Sequence, residues 1–122
     1  MPTPPEDAAW AWAAGLFEGE GCIVYRRRSL PARGKCLTLK IQLTDEDVLR
    51  RFHEIVGRGK ICGPYSRPGG TKPFWAWECS NMAAATFVLR QFWPWLGQRR
   101  RAKVESIGTM GQLMMDLASV SN

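Results

Sequence analysis

From Leu37 to Thr44 the chain alternates without interruption, Leu37, Leu39, Ile41 and Leu43 against Thr38, Lys40, Gln42 and Thr44. Successive side chains of a strand point to opposite faces, so this segment is a strand with one apolar and one polar, basic face. A sheet built on it is covered by other elements on one side and leaves the other side open. Residues 22–28 supply a partner strand across a loop containing Pro31 and Gly34. A second hairpin is expected over 60–80, turning at Arg67-Pro68-Gly69-Gly70.

Helical patterns surround the hairpins. Pro4 and Pro5 precede an Ala-rich helix over 6–19, with Glu6 and Asp7 in its first turn and Gly19 and Gly21 at its end. Thr44 or Asp45 caps a helix reaching Val56, whose apolar stripe is Val48, Leu49, Phe52, Ile55 and Val56. Asn81 caps another over 83–92, and Pro94 sets a break before a last helix over 96–117. The order α-ββ-α-ββ-α-α repeats a helix and strand-pair unit, which predicts an α+β fold in one domain spanning 1–122. Residues 1–5 are expected to form a flexible N-terminus and 118–122 a frayed C-terminus.

Seventeen Lys and Arg against 11 Asp and Glu give a net charge of +6, which favours a polyanionic partner. Ten of the 17 cations fall in two acid-free blocks that coincide with the hairpins: Arg26, Arg27, Arg28, Arg33, Lys35 and Lys40, then Arg58, Lys60, Arg67 and Lys72. On the open face of the first hairpin, Val24, Arg26, Arg28, Thr38, Lys40 and Gln42 would project together. Arg and Lys suit phosphate or guanine, Gln adenine, and a β-ribbon fits the major groove, so double-stranded DNA is the expected ligand, contacted also by Arg33, Lys60, Arg67, Lys72 and Arg100. Neither a secretory signal nor an apolar run of about 18 residues is present, so the expectation is an intracellular, cytoplasmic protein with no membrane partner and no small-molecule substrate. Cys22, Cys36, Cys62 and Cys79, singly spaced, read as small apolar residues of a reducing compartment, and His53 as a surface or satisfied side chain. Trp10, Trp75, Trp77, Trp93 and Trp95 read mostly as core.

The first helix is the most specific segment. Ala8, Ala11, Gly15 and Gly19 recur at three- or four-residue spacing, which permits close approach of two helices, while Trp10, Ala14 and Phe17 form a stripe for the sheet. Glu18 and Glu20 lie at its C-terminal end, where carboxylates oppose the helix dipole. Residues held against local preference are often functional.

The stretch Ala13-Ala14-Gly15-Leu16-Phe17-Glu18-Gly19-Glu20-Gly21 resembles the LAGLIDADG motif of homing endonucleases. Ala14, Gly15, Leu16, the apolar Phe17, the acids Glu18 and Glu20, and Gly21 match; Gly19 is a common variant. The departures are Ala13 for leucine and Glu for both aspartates. The resemblance implies the αββαββα fold, with an antiparallel sheet forming a DNA-binding saddle and helices on its other face. It implies a site-specific, metal-dependent endonuclease, intron-encoded or free-standing, cutting both strands of a pseudo-palindromic site as a homodimer. The motif helices would cross at the two-fold axis through Ala11, Trp12, Gly15, Leu16 and Gly19. Glu20, helped by the carbonyl of Gly19, would hold Mg²⁺ or Mn²⁺.

The resemblance also implies a cation near the scissile phosphate from Pro94-Trp95-Leu96-Gly97-Gln98-Arg99-Arg100-Arg101-Ala102, where Arg99 matches best and Arg100 is one residue away. Asp45, after Leu39-Lys40-Ile41-Gln42-Leu43-Thr44, matches a polar residue supporting the catalytic centre, although a helix cap explains it as well. The alternative activity is a fold of the same kind that binds nucleic acid without cutting, as an RNA maturase or DNA-binding regulator.

Overall fold

A computed structural model of the protein describes residues 4–27, 35–70 and 72–107. Its elements follow the order read from the pattern: α1 (Pro4–Glu20), β1 (Gly21–Arg27), β2 (Lys35–Leu43), α2 (Glu46–Val56), β3 (Lys60–Tyr65), β4 (Phe74–Cys79), α3 (Met82–Phe92), a 3-10 turn (Trp93–Trp95) and α4 (Gln98–Glu105). The four strands form one antiparallel sheet in the order β1-β2-β4-β3. The two hairpins are joined by β2 and β4 at the centre, where Ile41 pairs with Trp77.

The alternation of β2 decides the sidedness. Leu37, Leu39 and Ile41 are buried beneath the helices together with Ile23, Trp77 and Cys79. Phe92 joins the helices to one another: it lies 5.5 Å from Phe17 of α1, 6.0 Å from Phe52 of α2 and 5.8 Å from Trp10, ring centre to ring centre. Phe52 in turn meets Trp77 of the sheet edge-to-face at 4.8 Å, a favoured geometry for aromatic pairs. Trp10 therefore packs on α3, through Phe87 and Phe92, as well as against the core.

Local chemistry sets the ends. Asn81 caps α3 by accepting from the Ala84 N–H at 3.0 Å. Gly57 closes α2 at φ 71°, a left-handed conformation that favours glycine. Pro64 lacks an N–H and lies on β3, which is an edge strand. His53 is satisfied, its Nε2 donating to the Gly59 carbonyl at 3.0 Å.

Several expectations shift. Helix α1 starts at Pro4, inside the stretch expected to be flexible; a proline is tolerated in a first turn because its missing N–H has no helical partner there. The last described helix starts at Gln98, two residues late, and ends at Glu105; of the stretch expected to continue to 117, residues 108–117 lie outside the described residues. The Trp93–Trp95 turn and Gly97 delay its start, and the Ser106 hydroxyl donates to the Lys103 carbonyl at 2.6 Å where it ends. Residues 1–3 and 108–122, including Gly108, Gly111 and the methionines Met110, Met114 and Met115, lie outside the described residues, as does the 28–34 loop with Arg28 and Arg33. Trp95 is exposed and so is not core, whereas Trp93 is half-buried and packs against the core.

Candidate nucleic-acid interface

The face of the sheet turned away from the helices is laid out by register. One row across it is Cys22, Lys40, Glu78 and Lys60; the next is Gln42, Ala76 and Cys62; Val24 pairs with Thr38. Arg26 lies opposite Cys36 on the same strand pair. Gln42 and Lys60 are exposed, Val24, Thr38 and Lys40 half-buried, and Lys72 is exposed beyond the β3–β4 turn. Arg67 is pinned: its guanidinium stacks 4.3 Å from the Phe74 ring centre and Nη2 donates to Gln42 Oε1 at 3.3 Å. Cys22 is exposed on this face, contrary to its reading as a small apolar residue, because its place alternates with buried Ile23. Cys79 does fit that reading; burial pushes its thiol up from the ordinary value, against the smaller opposing effects of the Arg58 cation and a hydrogen bond at Asn81.

Glu78 corrects the picture of an acid-free face. It is the one acid on the four strands, and its Oε2 lies 3.8 Å from Lys40 Nζ. The cations of this face are thus interleaved with a carboxylate at its centre.

The end of α1 joins the sheet directly, since Glu20 is its last residue and Gly21 opens β1. The two acids there differ. Glu18 is committed: its Oε1 accepts from the Gly97 N–H at 2.7 Å, at the start of α4, and Arg100 donates to its carbonyl at 3.2 Å. A carboxylate at a helix N-terminus is favoured by the exposed N–H groups and the dipole. Glu20 is exposed, and no described residue hydrogen-bonds or ion-pairs with it.

Beside Glu20, a cleft of about 310 Å³ is lined by Gly21, Cys22, Ile23, Arg99, Arg100 and Lys103. Arg99 and Lys103 are exposed in it. Arg100 is held back, its side chain 14% exposed, 4.0 Å from Glu18 Oε2 and 5.5 Å from the Phe17 ring centre. Of the two arginines weighed from the sequence, Arg99 is the free one and Arg100 ties α4 to α1. Asp45 stands at the N-cap of α2, exposed, without a side-chain cap hydrogen bond. Because Gly21 pairs with Ile41, it lies toward the same end of the sheet as Glu20.

Gly21 permits this junction. A Cβ there would stand 2.6 Å from the Phe17 carbonyl oxygen and 2.4 Å from its ring, closer than real contacts allow. Gly21→Ala is expected to destabilise the fold by about 1–3 kcal/mol, as overpacking does, read as a lower urea midpoint at unchanged m-value; an unchanged midpoint would show that the junction yields.

On its outer flank, α1 exposes Ala8, Gly15 and Gly19, with Ala11 and Leu16 half-buried. Open space surrounds the Cβ positions of Gly15 and Gly19. Trp12 is only partly available to a neighbour, since Arg51 stacks on its ring at 4.1 Å.

Among the described residues no three or more His, Cys, Asp or Glu side chains converge. What one chain offers at this end is a carboxylate and the final carbonyls of α1, all hard oxygen donors at the negative end of a helix dipole. That set fits a cation such as Mg²⁺, which takes one or two carboxylates and keeps several waters.

No family model matches the chain, and no curated sequence matches it. Solved structures do. The homing endonuclease I-CvuI, in complex with its target in the presence of 2 mM Ca, matches with a TM-score of 0.66 over 98% of this chain and 72% of its own, at 16% identity. The archaeal intron-encoded homing endonuclease I-Vdi141I, complexed with DNA, matches at 0.61 over 92% of this chain and 85% of its own, at 13% identity. The LAGLIDADG homing endonuclease I-GzeII, in complex with a DNA target, matches at 0.61 over 91% of this chain and 36% of its own, at 14% identity. The chain has the fold of the LAGLIDADG homing endonucleases, an α+β arrangement with a four-stranded antiparallel sheet. Among the described residues no helix is long and apolar enough to cross a membrane.

Proposed function

We propose that the protein is a site-specific, metal-dependent DNA endonuclease of the homing type that acts as a homodimer. The observation that carries this reading is the position of Glu20: an unpaired, exposed carboxylate where the motif helix meets a basic sheet, next to a cleft holding Arg99 and Lys103. The neighbours I-CvuI and I-Vdi141I are homing endonucleases bound to DNA, which supports the DNA-binding part of it; I-CvuI was solved in the presence of 2 mM Ca and, with its DNA not cleaved, of 2 mM Mg.

In this reading the open sheet face seats the major groove, and Lys60 and Lys72 contact phosphates. Glu20 and the Gly19 carbonyl hold the cation, whose chemistry when bound is to lower the pKa of a water and polarise the phosphoryl oxygen. Arg99 serves as a fixed positive charge beside the scissile phosphate, since arginine stays protonated. Asp45 orients the polar groups at that end of the sheet. Two copies related by a two-fold axis along the small-residue flank of α1 bring one Glu20 to each strand cut, and the same symmetry makes the target near-palindromic.

The flank supplies the test. Gly15 meets open space within one chain, so Gly15→Leu is expected to fold normally yet block helix approach. Sedimentation should show a dimer for the wild type and a monomer for the variant, which also loses selective binding of a full site over a half-site. A wild type that stays monomeric with and without DNA, or a Gly15→Leu variant that still dimerises, would overturn the homodimer.

A further inference from the structure

Glu78 stands where an acid is unfavourable for phosphate binding. It is central, on a strand between two others, and its neighbours in sequence, Trp77 and Cys79, are buried on the opposite face. Across the strands it faces Lys40 on β2 and Lys60 on β3. A carboxylate in a face that docks on DNA repels the backbone, so its place is explained by what it pairs with. Its Oε2 forms an ion pair with Lys40 Nζ at 3.8 Å, longer than a hydrogen bond, with both side chains about one-third exposed. That distance and exposure leave lone pairs of Glu78 and N–H donors of Lys40 free toward the open side.

We infer that Lys40 and Glu78 together read one G·C base pair in each half-site. This rests on the DNA-reading function proposed above. In the major groove a G·C pair offers two acceptors on guanine, N7 and O6, followed by the N4 amino donor of cytosine. A donor and an acceptor side by side on neighbouring strands match that order, Lys40 to guanine and Glu78 to the cytosine amino group. Adenine replaces the second acceptor with an amino group, which repels an ammonium, and thymine offers one acceptor beside a methyl. The ion pair fixes where each partner points before DNA arrives, which lowers the ordering cost of recognition. Lys60, the third member of the row, has no such pairing and contacts phosphate.

The test is selection of bound duplexes from a randomised library by the full chain, as wild type, Glu78→Gln, Lys40→Met and Lys60→Ala. Thermal unfolding is expected to stay within about 5 °C of the wild type for Glu78→Gln, since a cross-strand pair contributes little to stability. The wild type should enrich a near-palindrome in which one symmetric position is G·C, by about tenfold or more over other pairs. Glu78→Gln and Lys40→Met should both lose preference at that same position and keep it elsewhere. Lys60→Ala should weaken binding evenly across positions and reduce the salt slope by about 1. If the wild type enriches a site and Glu78→Gln enriches it with unchanged preference at every position, the Lys40–Glu78 assignment fails while the DNA-reading function stands. A shift centred on an A·T pair would overturn the G·C assignment. A wild type that enriches no sequence would remove both.

Discussion

Glu20→Gln is expected to abolish strand cleavage while leaving site binding within a few-fold of the wild type. Glutamine keeps the size and the exposure of the side chain but removes the anion that would hold the cation. A Lewis-acid metal contributes several kcal/mol to phosphoryl chemistry, and each 1.36 kcal/mol is tenfold in rate, so the loss should be at least about a hundredfold. Folding should not suffer, because Glu20 makes no hydrogen bond or ion pair with a described residue, in contrast to Glu18, which accepts the Gly97 N–H at 2.7 Å. Glu18→Gln should therefore show the opposite pattern: lower stability, with cleavage by the folded fraction largely kept. Rates on a purified cognate duplex in Mg²⁺, beside urea midpoints for both variants, check the contrast. Full activity of Glu20→Gln would remove Glu20 from the catalytic centre.

Trp77→Ala is expected to give the largest loss of stability, about 3–5 kcal/mol, the range for removing a fully buried large aromatic. Trp77 is wholly buried, meets Phe52 edge-to-face at 4.8 Å, and donates from Nε1 to the Arg58 carbonyl at 2.9 Å. The cavity would open where α2 rests on the two central strands, and α2 would lose its anchor. Trp77→Phe keeps part of the volume but leaves the Arg58 carbonyl without its donor, so it should cost less, about 1–3 kcal/mol. Urea or thermal unfolding of both variants measures the difference. Equal midpoints for Trp77→Ala and wild type would mean that Phe92 and Phe52 hold the core without it.

The chain shows unequal legibility along its length. Period-two alternation from Leu37 to Thr44 identified β2 and assigned its two faces, because that information is local: each residue's face follows from its neighbours. Helix caps such as Asn81, and the small-residue spacing of α1, were readable for the same reason. What was not readable depends on pairings between distant segments. Glu78 enters the basic face only because β4 pairs with β2, a register no local pattern fixes. Glu18 and Glu20 differ by two positions and have opposite fates, decided by Gly97, which lies 79 residues from Glu18. Arg99 and Arg100 are separated by one step of a short helix, about 100° of rotation, so only the docking of α4 on α1 tells the free guanidinium from the tethered one. The contact of Trp10 with Phe87 and Phe92 between α1 and α3 likewise depends on how two distant helices dock. A signal for Glu78 did exist: an acid flanked by Trp77 and Cys79 on a strand must face the side that they avoid.

The most direct measurement is cleavage itself: the full chain incubated with a randomised duplex library in Mg²⁺, followed by sequencing of the cut ends. Paired cuts on both strands within one near-palindromic sequence, dependent on the metal, are the expected result. Selective enrichment of a bound sequence with no cut ends would contradict it and leave a nucleic-acid-binding protein of the same fold.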